Sequence, residues 1–281
     1  MILAPEGSQA ELAALQAEHA RIAEVLASAR WEDMKVGLSD AMSAADFWTR
    51  PDRHATLSRL ALMDRVKAAA ATAGALQARL AKGKDRAGRF SRELVGRFAL
   101  QLYVVKEGIR DVEEVAPIEV AILIEPAFER TGENEAARAW CAELHGMYRA
   151  WANGRHMQIS ELARGPGRHL PWLLVTGFGA HRLLSREVGL HVLENTDTEG
   201  RASRAAGRVR LAVPPLGDLA PDALREALVE GLVRGPQPHA VVRRYRREPS
   251  PLVRDMSCGW RTGKLDAVLR GDFDLIAASQ A

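Results

Sequence analysis

The hydrophobic period of this chain changes at Pro117, and that change constrains its architecture more than any single motif does. Before it, apolar residues recur at helical spacing. Residues 8–35 carry Leu12, Leu15, Ile22, Val25 and Leu26 among Ala, Glu and Arg, which predicts one long helix. A break over 37–51 precedes a second helical stretch over 51–81. There Leu57, Leu60, Met63 and Val66 share a stripe and Pro51 sits where a first turn tolerates proline. After the Lys82-Gly83-Lys84 turn, a third stretch covers 86–114. Residues 1–115 therefore predict an all-α hairpin or bundle.

Beyond Pro117 the period shortens. IEVAILI (118–124) alternates and is β-branched, so it predicts a strand, as do HMQISEL, LPWLLVTG, 208–213 and 240–245. Helices are predicted over 133–152, over 222–233 after Pro221, and in short pieces over 264–278. Helices followed by mixed strands and helices predict an α+β chain of two domains, 1–115 and 116–281.

Charge is unevenly spread. The net charge is +3, yet arginine crowds the second half: Arg201, Arg204, Arg208 and Arg210, then Arg243, Arg244, Arg246, Arg247 and Arg254. A guanidinium is a planar fork that grips phosphate in two places. The cluster therefore reads either as a nucleic-acid surface or as a solvated face in an arginine-preferring protein. Residues 243–247 lie on a predicted strand, so only part of that set can share one face. No apolar run approaches the roughly 20 residues of a membrane helix. Cys141 and Cys258 show no metal-ligand spacing. Both point to a reducing cytoplasm with no membrane partner.

Catalytic motifs do not surface. The eight histidines form no metal-spaced cluster, and no nucleophile elbow, Walker loop or dinucleotide fingerprint occurs. Arg164-Gly165-Pro166-Gly167 reads as a tight turn rather than a phosphate cradle. The expectation is a protein that is not an enzyme, with no cofactor, no metal and no small-molecule substrate.

Five stretches, in order, resemble bacterial class I peptide chain release factors of the type that reads UGA and UAA. They are DFWTRPDRHATLSR (46–59), WCAELHGMYRAWA (140–152), VTGFGAHRLLSREVGLHVL (175–193), VRRYRREPSPLVRD (242–255) and RTGKLDAVLRGDFDLIAAS (261–279). Trp140, Leu144, Met147 and Tyr148 match the family's helix. Gly177, Leu184, Gly189, His191 and Leu193 match the segment leading into its codon-reading loop. Arg261-Thr262-Gly263 and Leu269, Gly271, Asp272 and Asp274 match its tail. The resemblance runs from about residue 40 to the end. It implies a helical first domain and a sandwich-like α/β core that acts on the ribosome.

The departures fall at both working ends of the family. Its members release the nascent peptide with a Gly-Gly-Gln loop carried on a whole domain, and this chain has no Gly-Gly pair. Residues 214–239, PPLGDLAPDALREALVEGLVRGPQPH, stand where that domain would be inserted. The family's Ser-Pro-Phe codon-reading tripeptide is replaced by Glu194-Asn195-Thr196-Asp197-Thr198-Glu199, and Arg204-Ala205 falls where its His-Thr pair would be. Bases are read by placed donors, acceptors and stacking rings, whereas these carboxylates repel phosphate. Residues 194–207 are thus expected to keep a loop's position without its readers.

The implied function is a ribosome-associated factor that neither hydrolyses peptidyl-tRNA nor reads a stop codon, with rRNA and a second rescue or release factor as candidate partners. The alternatives are a transcript-binding protein working off the ribosome and a protein-binding module in the N-terminal helices. Candidate RNA contacts are Arg182, His191, Arg201, Arg204, Arg208, Arg210, Arg243 and Arg244. The family-motif structural residues are Trp140, Tyr148, Gly189, Arg261, Gly263 and Asp272. At helical spacing Trp140, Met147 and Tyr148 read as core, and Gly189 and His191 serve either RNA or the packing of a turn.

Overall fold

The computed structural model describes every residue except 1, 3, 84–87, 128–133, 164–169, 197–201, 218, 236–237 and 281. Arg201, the expected turn at 164–167 and the acidic residues 197 and 199 lie outside the described residues. The chain divides into two compact units, Met1–Ala116 and Pro117–Ala281.

The first unit is helical: α1 (Gln9–Leu26), α2 (Ala29–Met42), α3 (Arg53–Ala81) and α4 (Arg92–Glu114). The single helix expected over 8–35 is two. Ser28 divides them, because its hydroxyl donates to the Val25 carbonyl at 2.7 Å and accepts from the Trp31 amide at 3.3 Å, closing one helix and capping the next. Ser8 and Glu11 form a capping box at the start of α1. Met63 and Val66 of α3 and Val95, Phe98 and Val105 of α4 are fully buried, so the α3–α4 pair forms the middle of this unit. Leu57 and Leu60, expected on the same stripe, are only half-buried.

The second unit is built on an eight-stranded sheet. Its elements are β1 (Glu119–Pro126), α5 (Asn134–Gly154), β2 (Gln158–Leu162), β3 (Trp172–Thr176), α6 (Ala180–Leu184), β4 (Gly189–Thr196), β5 (Ala202–Ala212), α7 (Pro221–Arg234), β6 (Val241–Arg246), β7 (Leu252–Asp255), β8 (Arg261–Thr262), α8 (Leu265–Ala267) and α9 (Phe273–Gln280). The strand order is β2-β3-β1-β5-β4-β6-β7-β8. Every neighbouring pair is antiparallel except β4 and β6, which run parallel.

One sheet face lies under α5 and the C-terminal helices. Trp140, Leu144, Met147, Tyr148 and Trp151 of α5 pack on Ile122, Val175, Leu193, Val209, Tyr245 and Val253, with Phe273 beside them. Gly271, at φ +96°, turns the chain between α8 and α9. The opposite face is covered in part by α7, whose Leu228 and Leu232 bury against Ala121, Leu123, Trp172, Leu174 and Ala212. Fully burying those two leucines contributes about 3–6 kcal/mol before ordering costs.

The loop expected over 194–207 is largely strand. β4 and β5 pair from Gly189↔Val209 through Thr196↔Ala202. Leu193 and Ala205 face α5, while Val192 and Ala206 form a smaller apolar cluster on the other face. Alanine and glycine carry little strand propensity, so cross-strand pairing and burial impose the strand. Among the described residues no helix is long and apolar enough to cross a membrane, and no group of His, Cys, Asp or Glu is arranged to hold a metal ion.

Candidate nucleic-acid interface

The candidate arginines separate by sheet face, because side chains alternate along a strand. On the face toward α5 stands Arg243, 2% exposed. It donates to both carboxylate oxygens of Glu187, at 2.6 and 2.9 Å, and to Asp255 Oδ2 from Nη2 at 3.0 Å. Its guanidinium also lies 4.9 Å from the Trp260 ring centroid and 5.2 Å from that of Phe273. A cation held by two carboxylates and two rings has no face left for phosphate. The expectation that Arg243 contacts RNA is therefore corrected: it is an interior cation.

His191 requires the same correction, since it is 0% exposed. Nε2 lies 2.9 Å from the Glu187 carbonyl and Nδ1 2.9 Å from the Tyr245 hydroxyl. A carbonyl only accepts, so Nε2 carries the proton and the Tyr245 hydroxyl donates to Nδ1. Burial, aided by the nearby Arg243 charge, pushes the imidazole pKa down to about 3, so the ring is neutral. The Trp140 indole donates to the His191 carbonyl at 2.9 Å and the Tyr148 hydroxyl to Glu187 Oε2 at 3.2 Å.

The carboxylates of this network differ. Burial raises the Glu187 pKa against the opposing pull of Arg243. At Asp255 burial also pushes upward, but amide donation from Cys258, the Arg243 charge and the Ser257 hydroxyl outweigh it, and the pKa is lowered. Trp140 and Tyr148 are buried in the same core. At Gly189, φ is +147°, and a Cβ there would overlap Val242 and the Ala240 carbonyl. Asp272 stands 3.6 Å from Arg155, whose guanidinium is also paired with Asp274. Gly263 is exposed just after β8.

The other sheet face carries the accessible cations. Strand register sets Arg208 beside Leu190 and Arg204 beside Glu194, and Val192 beside Arg244 and Glu194 beside Arg246. Glu194 accepts from Arg244 at 2.6 Å and lies 4.0 Å from the exposed Arg204. Arg208 is half-buried on the same face. Arg210 is committed elsewhere: Nη2 donates to the Leu232 carbonyl near the end of α7 at 2.6 Å, and Nη1 lies 4.0 Å from Glu125, a favourable place for a cation. Arg182 is half-buried on α6.

Two further arginines extend this face. Arg254 pairs with Arg244, and Arg261 with Arg254. Arg261 had been expected only as a structural motif residue. The signal that could have found Arg254 is the alternation of VVRRYR and LVRD, in which Arg244, Arg246 and Arg254 fall opposite in phase to Tyr245 and Val253; Arg261, on a two-residue strand, has no such signal.

Ser185 Oγ lies 3.5 Å from His181 Nε2 and donates to the His181 carbonyl at 2.6 Å. Cys141 is buried, with its thiol pKa pushed up to about 12 by desolvation and then by Glu125, so it stays protonated and inert. A pocket between α7 and the sheet is lined by Leu123, Trp172, Val229 and Leu232 together with Glu125, Arg210 and Arg225, and Glu125 lies 4.0 Å from the Arg210 guanidinium.

No family model matches the sequence, and no curated protein matches it. Among solved structures the chain is similar to RF2 of Thermus thermophilus, at 15% sequence identity and a TM-score of 0.47, over 92% of this chain and 97% of that chain.

Proposed function

We propose that this chain is a release-factor-like, ribosome-associated protein that works by binding, without peptidyl-tRNA hydrolysis and without reading a stop codon. The observation that carries the reading is the convergence of the motif residues. Trp140 and Tyr148, from one matching stretch, bond to the backbone of His191 and to Glu187 in the next. Arg243 and Asp255 of the fourth stretch join the same cluster, and Phe273 of the fifth stacks on Trp151. Matches that meet in one core are what a shared scaffold requires; unrelated coincidences would scatter.

Two observations support the proposed loss of both activities. Among the described residues the connection from β5 to β6 holds one helix, α7, packed by Leu228 and Leu232, and no separate module. Within 194–207 and just before it, the described residues pair as strands β4 and β5, with apolar side chains at 192 and 206 and an acidic one at 194. The chemistry left is phosphate binding, which positions a protein on RNA without reading sequence.

Pelleting through a sucrose cushion with purified ribosomes tests the association. Co-sedimentation at physiological salt is expected, together with no peptide release from stop-programmed ribosomes. Failure to pellet with ribosomes in every functional state, or stimulated release, would overturn the reading.

A further inference from the structure

On the sheet face turned away from α5, Arg244 of β6, Arg254 of β7 and Arg261 of β8 are direct cross-strand partners in one row. Two strand spacings put the three Cα atoms within about 10 Å of one another. Arg246 stands two residues along β6 on the same face. Like charges directly opposite one another destabilise a sheet, so such a row needs counter-charge. Among the described residues the protein supplies little. Glu194 serves Arg244; Arg246 bonds only to the carbonyl and hydroxyl of Ser250, both at 3.1 Å. Arg254 and Arg261 are exposed and have no carboxylate partner. Asp255, adjacent in sequence, points to the other face and is held by Arg243.

From this geometry we infer that the Arg244–Arg254–Arg261 row, flanked by Arg246, is a binding surface for the phosphate backbone of RNA. The choice of RNA as the polyanion rests on the reading of the chain as ribosome-associated. Its character follows from what the row lacks. The aromatic residues of this part of the sheet, Tyr245 and Trp260, are buried on the opposite face, so no ring is available to stack a base. Binding through guanidinium forks alone is insensitive to sequence and steeply dependent on salt. The row also lies outside the β4–β5 hairpin, so the surface persists whatever that hairpin has lost.

The test is a salt titration of binding to fluorescent oligo-uridine RNA by the full-length protein. Its Arg254→Gln/Arg261→Gln form is compared with an Arg30→Gln/Arg138→Gln control, which removes the same charge from exposed helix positions. The ladder variant is expected to lower the log–log salt slope by about 1.4 and to weaken binding about tenfold near physiological salt. The control is expected to change neither, and all three proteins to melt together. Equal losses in both variants, no RNA binding by the unmodified protein at low salt, or ladder-dependent binding to phosphatidylserine vesicles with RNA binding unaffected would each overturn the surface. Ribosome pelleting of the same proteins separates the two ideas. Ladder-dependent RNA binding without pelleting refutes the ribosomal reading alone, whereas pelleting that ignores the ladder refutes the surface alone.

Discussion

Replacing Arg243 by methionine removes the one cation that neutralises two interior carboxylates. Glu187 is 3% and Asp255 5% exposed, and each is hydrogen-bonded to the Arg243 guanidinium. Breaking a buried pair by deleting one partner costs about 3–5 kcal/mol, because the remaining charge is desolvated and unpaired. For a unit of this size that corresponds to a fall in melting temperature of roughly 10 °C. Calorimetry of the full-length protein, with hydrogen exchange at the β4, β6 and β7 amides, assigns the loss to the second unit.

The pH response supplies a second signature. In the variant Glu187, already raised by burial, loses the opposing Arg243 charge and titrates further above its unfolded value. Stability is then fully present below the unfolded pKa and lost as pH rises through the folded one, so the deficit shrinks on acidification from pH 7. A paired Arg243→Met/Glu187→Gln change is expected to recover a measurable part, with a coupling of about 1–3 kcal/mol. A loss below about 1 kcal/mol for Arg243→Met at pH 7, or strict additivity in the cycle, would refute the argument that this cation organises the interior.

Two further outcomes follow from the same core. Because the His191 imidazole pKa is lowered to about 3, the folded state binds fewer protons than the unfolded one below pH 6.5. Stability should therefore fall as pH drops toward 4, by up to about 1.4 kcal/mol per unit, with the raised Glu187 acting in the opposite sense; urea midpoints in wild type and His191→Gln compare the slopes. Gly271→Ala would force a Cβ onto the backbone of Trp151 at φ +96° and should cost about 3 kcal/mol or more. Gly146→Ala, on the exposed side of α5 with open space around it, should stabilise by up to about 1 kcal/mol; thermal melts that rank the two alike would contradict the packing described.

How much was legible in the sequence depends on how far apart the causes lie. β1 and β3 were visible because burial on both faces makes them continuously apolar, and α5 because Trp140, Leu144, Met147 and Trp151 mark one stripe. The α1–α2 break was hidden, since the apolar pattern crosses Ser28 and only the double role of its hydroxyl divides the helix. β8, at two residues, is too short for a period to show, and β7, at four, carries an alternation that is read only beside β6. The strand expected at 208–213 is the second half of β5, but its first half, 202–207, was hidden by alanine, glycine and arginine, which become strand only when β4 lies alongside. Arg243 was unreadable for a different reason: its partners arrive from 56 residues before it and 12 after, and nothing local distinguishes it from Arg244. Gly189 and His191 were flagged as either turn packing or RNA contact, and only burial separates those two uses.

The position of α7 has a consequence for how much the sheet could be rebuilt. β5 and β6 flank β4 on its two sides. At the end of the sheet where β4 begins, Val209 and Val241 pair with Gly189 and Leu190; β6 starts there, while β5 runs on along β1 to Ala212. With two strand spacings across and three residues along, the two chain ends stand roughly 14 Å apart, a separation that a compact module with neighbouring termini can bridge. A graft at this port would leave every strand register intact, provided that it shields Leu123, Leu174 and Ala212 as Leu228 and Leu232 now do. α7 is thus a cover on the sheet, held by two leucines, and the strand order does not depend on it.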